Sequence, residues 1–246
     1  MSLPVHLVPS LEGIREGDEV VVEGDEAHHA VAVRRLRVGE RVVLTDGRGT
    51  ALTGEVTSTG KRVFTVATLS IGDVIAADPS FTVVQAVPKG DRGELAVEML
   101  TEIGVTRIVP WAASRSVAVW KGDRAEKSLA KWRSTAREAA KQARRAWFPE
   151  VTPLASTDEV VALMEGVDLV VVLHEEAHVP LASLELPDSG EVMVVVGPEG
   201  GLAEDEIDGF VAAGAVSVRM GGEVLRTSTA GVAAVAALLA RTRRWG

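Results

Sequence analysis

The chain has 246 residues, of which 46% are hydrophobic, and a formal net charge of −9. This length allows one large domain, or a small and a medium domain. The absence of cysteine excludes disulfides, thiolate zinc sites and cysteine nucleophiles. The sequence has no run of about 18 consecutive apolar residues, so no transmembrane helix is predicted. Met1–Ser10 lacks the pattern of a signal peptide. We therefore expect a cytoplasmic protein.

The first 75 residues are predicted to form a small β-barrel domain, because short segments rich in Val, Thr and Phe alternate with glycine turns. The predicted strands are Val20–Val22, Arg41–Thr45, Ala51–Thr57 and Arg62–Leu69. Between the first two, Asp25–Arg37 is predicted to be helical, with Asp25 as its N-cap. Arg34, Arg35 and Arg37 at the end of this segment are predicted RNA contacts.

Residues 76–246 are predicted to form a second domain of the α/β class. Continuous apolar strands separated by helices are typical of a mostly parallel sheet that is covered on both faces. The predicted strands are Phe81–Val87, Val105–Trp111, Asp168–Leu173, Val192–Val196 and Ala215–Met220. The predicted helices are Glu94–Ile103, Asp123–Trp147, Asp158–Met164, Ala203–Ala213 and Thr227–Arg243.

The predicted helix Asp123–Trp147 carries a basic stripe beside its apolar stripe. Residues 115–150 hold ten Lys or Arg against four Asp or Glu, whereas residues 151–223 hold only Arg219 against fifteen acidic residues. A chain polarised in this way can present a basic face to nucleic acid despite its acidic total. Arg137, Lys141 and Arg145 are the predicted RNA contacts of this stripe. An ordinary solvated face remains the alternative.

Two predicted strands end in glycine-rich segments that are followed by a helix. The first segment is Gly197–Gly201 and the second runs from Met220 to Ala230. Glycines at a strand end let a ligand approach the backbone, and ligands of open α/β sheets lie beyond the carboxyl ends of the strands. Neither segment has the spacing of a dinucleotide fingerprint or a P-loop. Residue pattern alone leaves open a tight structural turn or a ligand-binding loop.

Adjacent His28 and His29 have no partners for a metal site, so no metal is expected.

Several short motifs occur in a defined order along nearly the whole chain. They are Lys89, Glu102-Ile103-Gly104-Val105, Pro110, Ser114-Arg115-Ser116, Gln142 with Arg145, Gly197-Pro198-Glu199-Gly200-Gly201 and Leu225-Arg226-Thr227, with His29, Leu36-Arg37, Gly39 and Asp46-Gly47 in the first domain. In this order they resemble the RsmE family of SPOUT methyltransferases, which modify N3 of a uridine in small-subunit ribosomal RNA. Lys141, Glu223 and Ser228 depart from the residues common in that family.

The resemblance implies a trefoil-knotted SPOUT domain over residues 76–246, a PUA-like β-barrel over residues 1–75, and a homodimer. It also implies S-adenosyl-L-methionine as the cofactor, held without metal by loops after three strands. The expected cofactor-binding residues are Leu173, His174, Gly197, Pro198, Glu199, Gly200, Gly201, Met220, Gly221, Leu225, Arg226, Thr227 and Ala230.

Arg226 is the expected catalytic residue, with Glu199 orienting it or the substrate. A cation at this place would stabilise the uridine anion that forms when N3 loses its proton. Lys89, Arg92 and Arg115 complete the predicted contacts to ribosomal RNA. The alternatives are a SPOUT methylase of transfer RNA or of a ribose 2′-hydroxyl, and a non-catalytic RNA-binding or ribosome-assembly protein.

Overall fold

The computed structural model describes residues 3–246. Two compact units are present: one extends to Ala76 and also includes Ala140–Phe148, and the other consists of Ala77–Ala139 and Pro149–Gly246. The sequence placed the boundary one residue earlier and assigned Ala140–Phe148 to the second domain. These residues belong to the first unit because Trp147 lies over Gly49 and donates a 2.7 Å hydrogen bond from Nε1 to the Val74 carbonyl.

The first unit is built on a five-stranded sheet in the order β1-β3-β4-β5-β2. Its strands are β1 (Val5–Leu7), β2 (Glu19–Glu23), β3 (Arg41–Thr45), β4 (Thr50–Thr59) and β5 (Val63–Asp73). Strand β1, which the sequence did not predict, pairs in parallel with β3, and the other neighbours are antiparallel. Alternating residues such as Leu44, Leu52 and Phe64 are fully buried on one face.

The helix predicted at Asp25–Arg37 is shorter than expected and changes type. It begins as α1 (Gly24–His28), with Glu23 rather than Asp25 at the N-cap, and continues as a π-helix over His29–Val33. Arg35 then adopts a left-handed conformation with φ of 59°, which ends the helix. Arg34, Arg35 and Arg37 are all exposed.

The second unit has a seven-stranded, fully parallel sheet in the order β10-β12-β9-β11-β6-β7-β8. Its strands are β6 (Ser80–Ala86), β7 (Arg107–Trp111), β8 (Glu150–Val151), β9 (Leu169–Leu173), β10 (Val179–Pro180), β11 (Glu191–Val196) and β12 (Val216–Arg219). Its helices are α2 (Arg92–Glu102), α3 (Asp123–Gln142, whose last three residues belong to the first unit), α4 (Thr157–Leu163), α5 (Glu204–Ala212) and α6 (Thr227–Leu239), with a short 3-10 helix at Leu181–Ser183.

Both faces of the parallel sheet are buried, as the continuous apolar strands predict. Alternate residues of β11 show this: Val194 packs in one core with Leu100 and Leu238, and Val195 in the other with Phe210. Gly231 allows α6 to lie close to the sheet, because a Cβ there would be 3.1 Å from a methyl of Val196.

No helix within residues 3–246 is long and apolar enough to cross a membrane.

Helix α3 ends at Gln142, five residues before the predicted end at Trp147. The Arg144 amide donates to the Lys141 carbonyl and the Arg145 amide to the Ala140 carbonyl, which is the double closure of a Schellman motif. Arg144 occupies its left-handed position, with φ of 55°. Glycine usually stands there, so the sequence carried no stop signal at this point.

Candidate active site

A cavity of about 790 Å³ lies in the second unit at the carboxyl ends of β9, β11 and β12. The loops that follow these three neighbouring strands form most of its wall. Every residue expected to bind the cofactor lines this cavity, from Leu173 and His174 through Gly197–Gly201 to Met220–Ala230. The fold therefore brings the two glycine-rich segments together, and the volume falls within the range of small-molecule sites.

Several cavity residues lie outside the three loops expected to hold the cofactor. These are Glu176, Val196, Leu202, Glu204, Ile207, Val218 and Arg219. Most of them adjoin the predicted segments. Ile207 enters from α5, and only its position on the apolar face of that helix could have indicated it. Arg92 and Arg115, predicted as RNA contacts, also line the cavity.

The glycines of the two loops serve different purposes. At Gly200 a Cβ would come within 2.7 Å of the Arg115 carbonyl oxygen, so this glycine permits contact between two protein segments. At Gly221 a Cβ would meet only a Glu223 carboxylate oxygen at 3.4 Å, and at Gly222 it would meet nothing within 4 Å. The Met220–Ala230 segment therefore leaves open space where it lines the cavity.

Arg226 is the N-cap residue of α6, a position for which Thr227 or Ser228 was predicted. Its carbonyl accepts hydrogen bonds from the Thr229 and Ala230 amides at 2.8 and 2.9 Å, which fixes its backbone. Its side chain is exposed at the cavity wall, while Thr227 and Ser228 are buried beneath it. A backbone held by these two hydrogen bonds thus carries a cation at the cavity wall.

Glu199 also lines the cavity, but its carboxylate accepts a 3.2 Å hydrogen bond from the Lys89 amide. Within residues 3–246 no hydrogen bond or ion pair joins Glu199 to Arg226. Its structural role is to hold the segment after β6 against the loop after β11.

The basic stripe predicted on α3 is not a continuous exposed surface. Arg137 is half exposed and contacts Glu138 and Ser134. Lys141 is buried, and its ammonium lies 2.9 Å from the Glu26 carboxylate within the first unit. Arg145 lies beyond the end of the helix. The predicted RNA contact at Lys141 is therefore wrong, because the side chain is occupied by a buried ion pair.

Glu26 joins Lys141 to His6 in a small polar cluster of the first unit. The His6 Nδ1 lies 3.0 Å from the other carboxylate oxygen of Glu26. Burial alone would raise the pKa of Glu26, but the hydrogen bonds from His6 and Lys141 outweigh it and lower that pKa from 4.5 to about 2. The carboxylate is thus ionised at neutral pH, as the pairing with Lys141 requires.

No group of three or more His, Asp or Glu side chains within residues 3–246 is arranged to hold a metal ion.

The comparisons with known proteins identify the family. Residues 77–239 match the model of an RNA methyltransferase domain, and residues 22–68 match that of an RNA methyltransferase PUA domain. The chain therefore belongs to the RNA methyltransferases that combine these two domains. Within that class it belongs to the family of ribosomal RNA small subunit methyltransferase E, on the evidence of its curated relatives.

The relative from Mycobacterium tuberculosis is 44% identical over 93% of this chain and 89% of its own length. The relative from Bacillus subtilis is 29% identical over 93% of each chain. The chain is also similar to a solved structure, the crystal structure of ribosomal RNA small subunit methyltransferase E from Neisseria gonorrhoeae bound to S-adenosyl methionine. The two sequences are 29% identical, the match covers 98% of both chains, and the TM-score is 0.88. The predicted fold class is confirmed as a parallel-sheet RNA methyltransferase domain preceded by a PUA-like domain. The SPOUT type of this domain and the trefoil threading of the chain stay predictions.

Proposed function

We propose that this protein is an S-adenosyl-L-methionine-dependent methyltransferase that acts on N3 of a uridine in small-subunit ribosomal RNA. The observation that carries this proposal is the cavity of about 790 Å³ at the carboxyl ends of β9, β11 and β12, with Arg226 at its wall. Family membership and the name of the 44% identical relative supply the substrate class. The experiment is transfer of a labelled methyl group to the isolated small subunit and to its naked RNA, followed by nucleoside analysis.

The residues present fit S-adenosyl-L-methionine. Gly221 and Gly222 leave room for an adenosine-sized group close to the backbone. The carboxylates of Glu175, Glu199 and Glu223 at the wall suit a ligand that carries a positive sulfonium charge. When bound, this cofactor supplies an electrophilic methyl group. The loops of the chain hold and orient it, and no metal is required.

Arg226 is the proposed catalytic residue of the chain. N3 of uridine carries a proton at neutral pH and must lose it before its lone pair can attack a methyl group. The proton passes to solvent water, and the Arg226 guanidinium near the ring stabilises the negative charge that develops on the uridine, which lowers the barrier without a dedicated general base in the chain. Glu199 contributes by holding the neighbouring segment through Lys89.

The proposed RNA surface of the first unit consists of Arg34, Arg35 and Arg37. Replacing all three with glutamine should weaken RNA binding and make the slope of log affinity against log salt shallower by about 2 to 3, because about 0.7 to 0.9 counterions are released per neutralised phosphate. Filter binding across a salt series measures both quantities. The matched control replaces three other exposed cations of the same unit, Arg15, Arg41 and Lys61. Equal slopes for the two triple variants would show that the first set is only solvated surface.

We propose in addition that the protein is a cytoplasmic homodimer. Val224 and Leu225 at the cavity wall are 78% and 42% exposed, and Val117 and Val119 after β7 are also exposed. Exposed large apolar side chains support contact with a protein partner. Light scattering should give twice the chain mass of 25.9 kDa, and a monomer at micromolar concentration would contradict the dimer. The cytoplasm is the compartment in which a ribosomal RNA substrate is available.

A further inference from the structure

A buried carboxylate, that of Glu206, connects the loops on two sides of the cavity without lining the cavity itself. Glu206 is in the first turn of α5 and is only 2% exposed. We infer that Glu206 is a positioning residue, which holds the segment after β7 against the loop after β11 and thereby keeps the cofactor cavity in its binding-competent shape. This inference rests on the proposed function.

The contacts of Glu206 come from three different segments. Its Oε1 accepts a 2.8 Å hydrogen bond from the Ser114 amide and a longer one, of 3.4 Å, from the Thr157 hydroxyl. Its Oε2 accepts a 3.0 Å hydrogen bond from the Ala203 amide. Ser114 follows β7, Thr157 begins α4 and Ala203 precedes α5. An ionised carboxylate accepts hydrogen bonds at both oxygens and donates none, so it satisfies all three donors at once.

The two segments that Glu206 joins meet again at the cavity. Arg115, next to Ser114, donates a 3.0 Å hydrogen bond from Nη1 to the Leu202 carbonyl, next to Ala203. The Arg115 carbonyl oxygen lies so close to Gly200 that any side chain there would overlap it. Arg115, Gly200 and Leu202 all line the cavity. Displacement of the Ser114 segment would therefore move this part of the cavity wall.

Glu206→Gln is the sharpest test, because it keeps the size of the side chain but replaces one acceptor oxygen with an NH₂ group. The NH₂ group would face the backbone N–H of Ser114 or of Ala203, and because both groups are donors the hydrogen bond at that amide would be lost. If the binding-competent shape of the cavity is then populated in only about a tenth of the molecules, the apparent dissociation constant of S-adenosyl-L-methionine rises about tenfold. A change that lowered only the free energy of unfolding would leave this constant unaltered while the protein stays folded.

The matched control is Glu159→Gln. Glu159 occupies the corresponding position in α4 and accepts a 2.7 Å hydrogen bond from the Ser156 amide, but it is exposed, and within residues 3–246 its side-chain hydrogen bonds are all with Ser156. Both variants lose a carboxylate that caps the start of a helix. Only Glu206→Gln should weaken cofactor binding.

The experiment combines calorimetric titration of S-adenosyl-L-methionine, thermal unfolding and amide hydrogen exchange on the wild-type protein and both variants. We expect a dissociation constant about tenfold higher in Glu206→Gln alone, and faster exchange of the Ser114 and Ala203 amides in the cofactor-free protein. Wild-type affinity together with wild-type exchange in a folded Glu206→Gln variant would overturn the inference. If the wild-type protein itself binds no cofactor, the proposed function fails, while the exchange data still test the positioning role.

Glu206→Asp provides a second variant, since its shorter side chain keeps the charge but cannot reach both amides. Weakened binding in whichever of the two variants is folded supports the inference. Failure of both to fold, while Glu159→Gln folds, would overturn it, because Glu206 would then be required by the whole fold and not specifically by the cavity.

Discussion

Replacing Arg226 with alanine should lower the single-turnover rate of methyl transfer by about 100-fold or more, the usual effect of removing one group that stabilises charge in the transition state. The side chain is exposed at the cavity wall on a backbone fixed by the Thr229 and Ala230 amides, so its loss removes the cation without disturbing the helix. The affinity for S-adenosyl-L-methionine should change much less. Rapid-quench measurements at saturating RNA, combined with calorimetry, separate the two effects.

Arg243→Ala is the matched control, since Arg243 is exposed in the same unit but does not line the cavity. Arg226→Lys distinguishes charge from geometry: a partly retained rate would show that a point charge suffices. A near-normal rate in Arg226→Ala at saturating RNA would remove this residue from the mechanism.

Replacing Gly221 with valine should weaken cofactor binding by about 100-fold, because three added carbon atoms in ligand space cost about 3 kcal/mol. The backbone at Gly221 is outside the left-handed region, and a Cβ there meets only a Glu223 oxygen at 3.4 Å. Valine is thus compatible with the free protein but competes with a ligand. Calorimetric titration measures the loss.

Gly72→Val is the control for this substitution, because Gly72 in β5 is equally open and is not a cavity residue. Gly200→Val would be less informative, since its side chain would overlap Arg115 and shift the wall in the absence of any ligand. Unchanged affinity in Gly221→Val would show that the cofactor does not approach this loop.

The sequence predicted five of the seven strands of the second domain, because their buried residues form continuous apolar runs, and it missed the two-residue strands β8 and β10. The glycines after β11 and β12 marked the cavity loops, because glycine at the end of a strand is also a local signal in the sequence. Sequence alone could not show that β9, β11 and β12 are neighbours in the sheet, since strand order depends on contacts distant along the chain. The family resemblance supplied that information.

The points at which the sequence misled or gave no signal have specific physical causes. The 3.6-residue period continued past Gln142, but Arg144 ended the helix by adopting a left-handed conformation without glycine. Lys141 fitted an exposed basic stripe, but its partner Glu26 is 115 residues away in sequence. Glu206 carries no sequence signal that distinguishes it from the neighbouring acids of the first turn, and only the fold buries it beside Ser114. The first case is a local closure without its usual glycine, whereas the other two depend on contacts between residues that are distant along the chain, which periodicity cannot detect.

The absence of cysteine bears on which atom is methylated. Methylation at C5 of a pyrimidine usually requires a nucleophile that adds to the ring, and a thiolate normally performs that step. This chain has none. A nitrogen or oxygen atom that attacks the methyl group directly is therefore the expected target.

Mass spectrometry of nucleosides tests the proposed function most directly. Small-subunit RNA and transfer RNA from a strain that lacks this protein would be incubated with the purified protein and isotopically labelled S-adenosyl-L-methionine. We expect the label in uridine methylated at N3, at a single position of the small-subunit RNA, and none in transfer RNA. A label at C5, on a ribose 2′-hydroxyl or in transfer RNA, or no label in any RNA, would contradict the function proposed here.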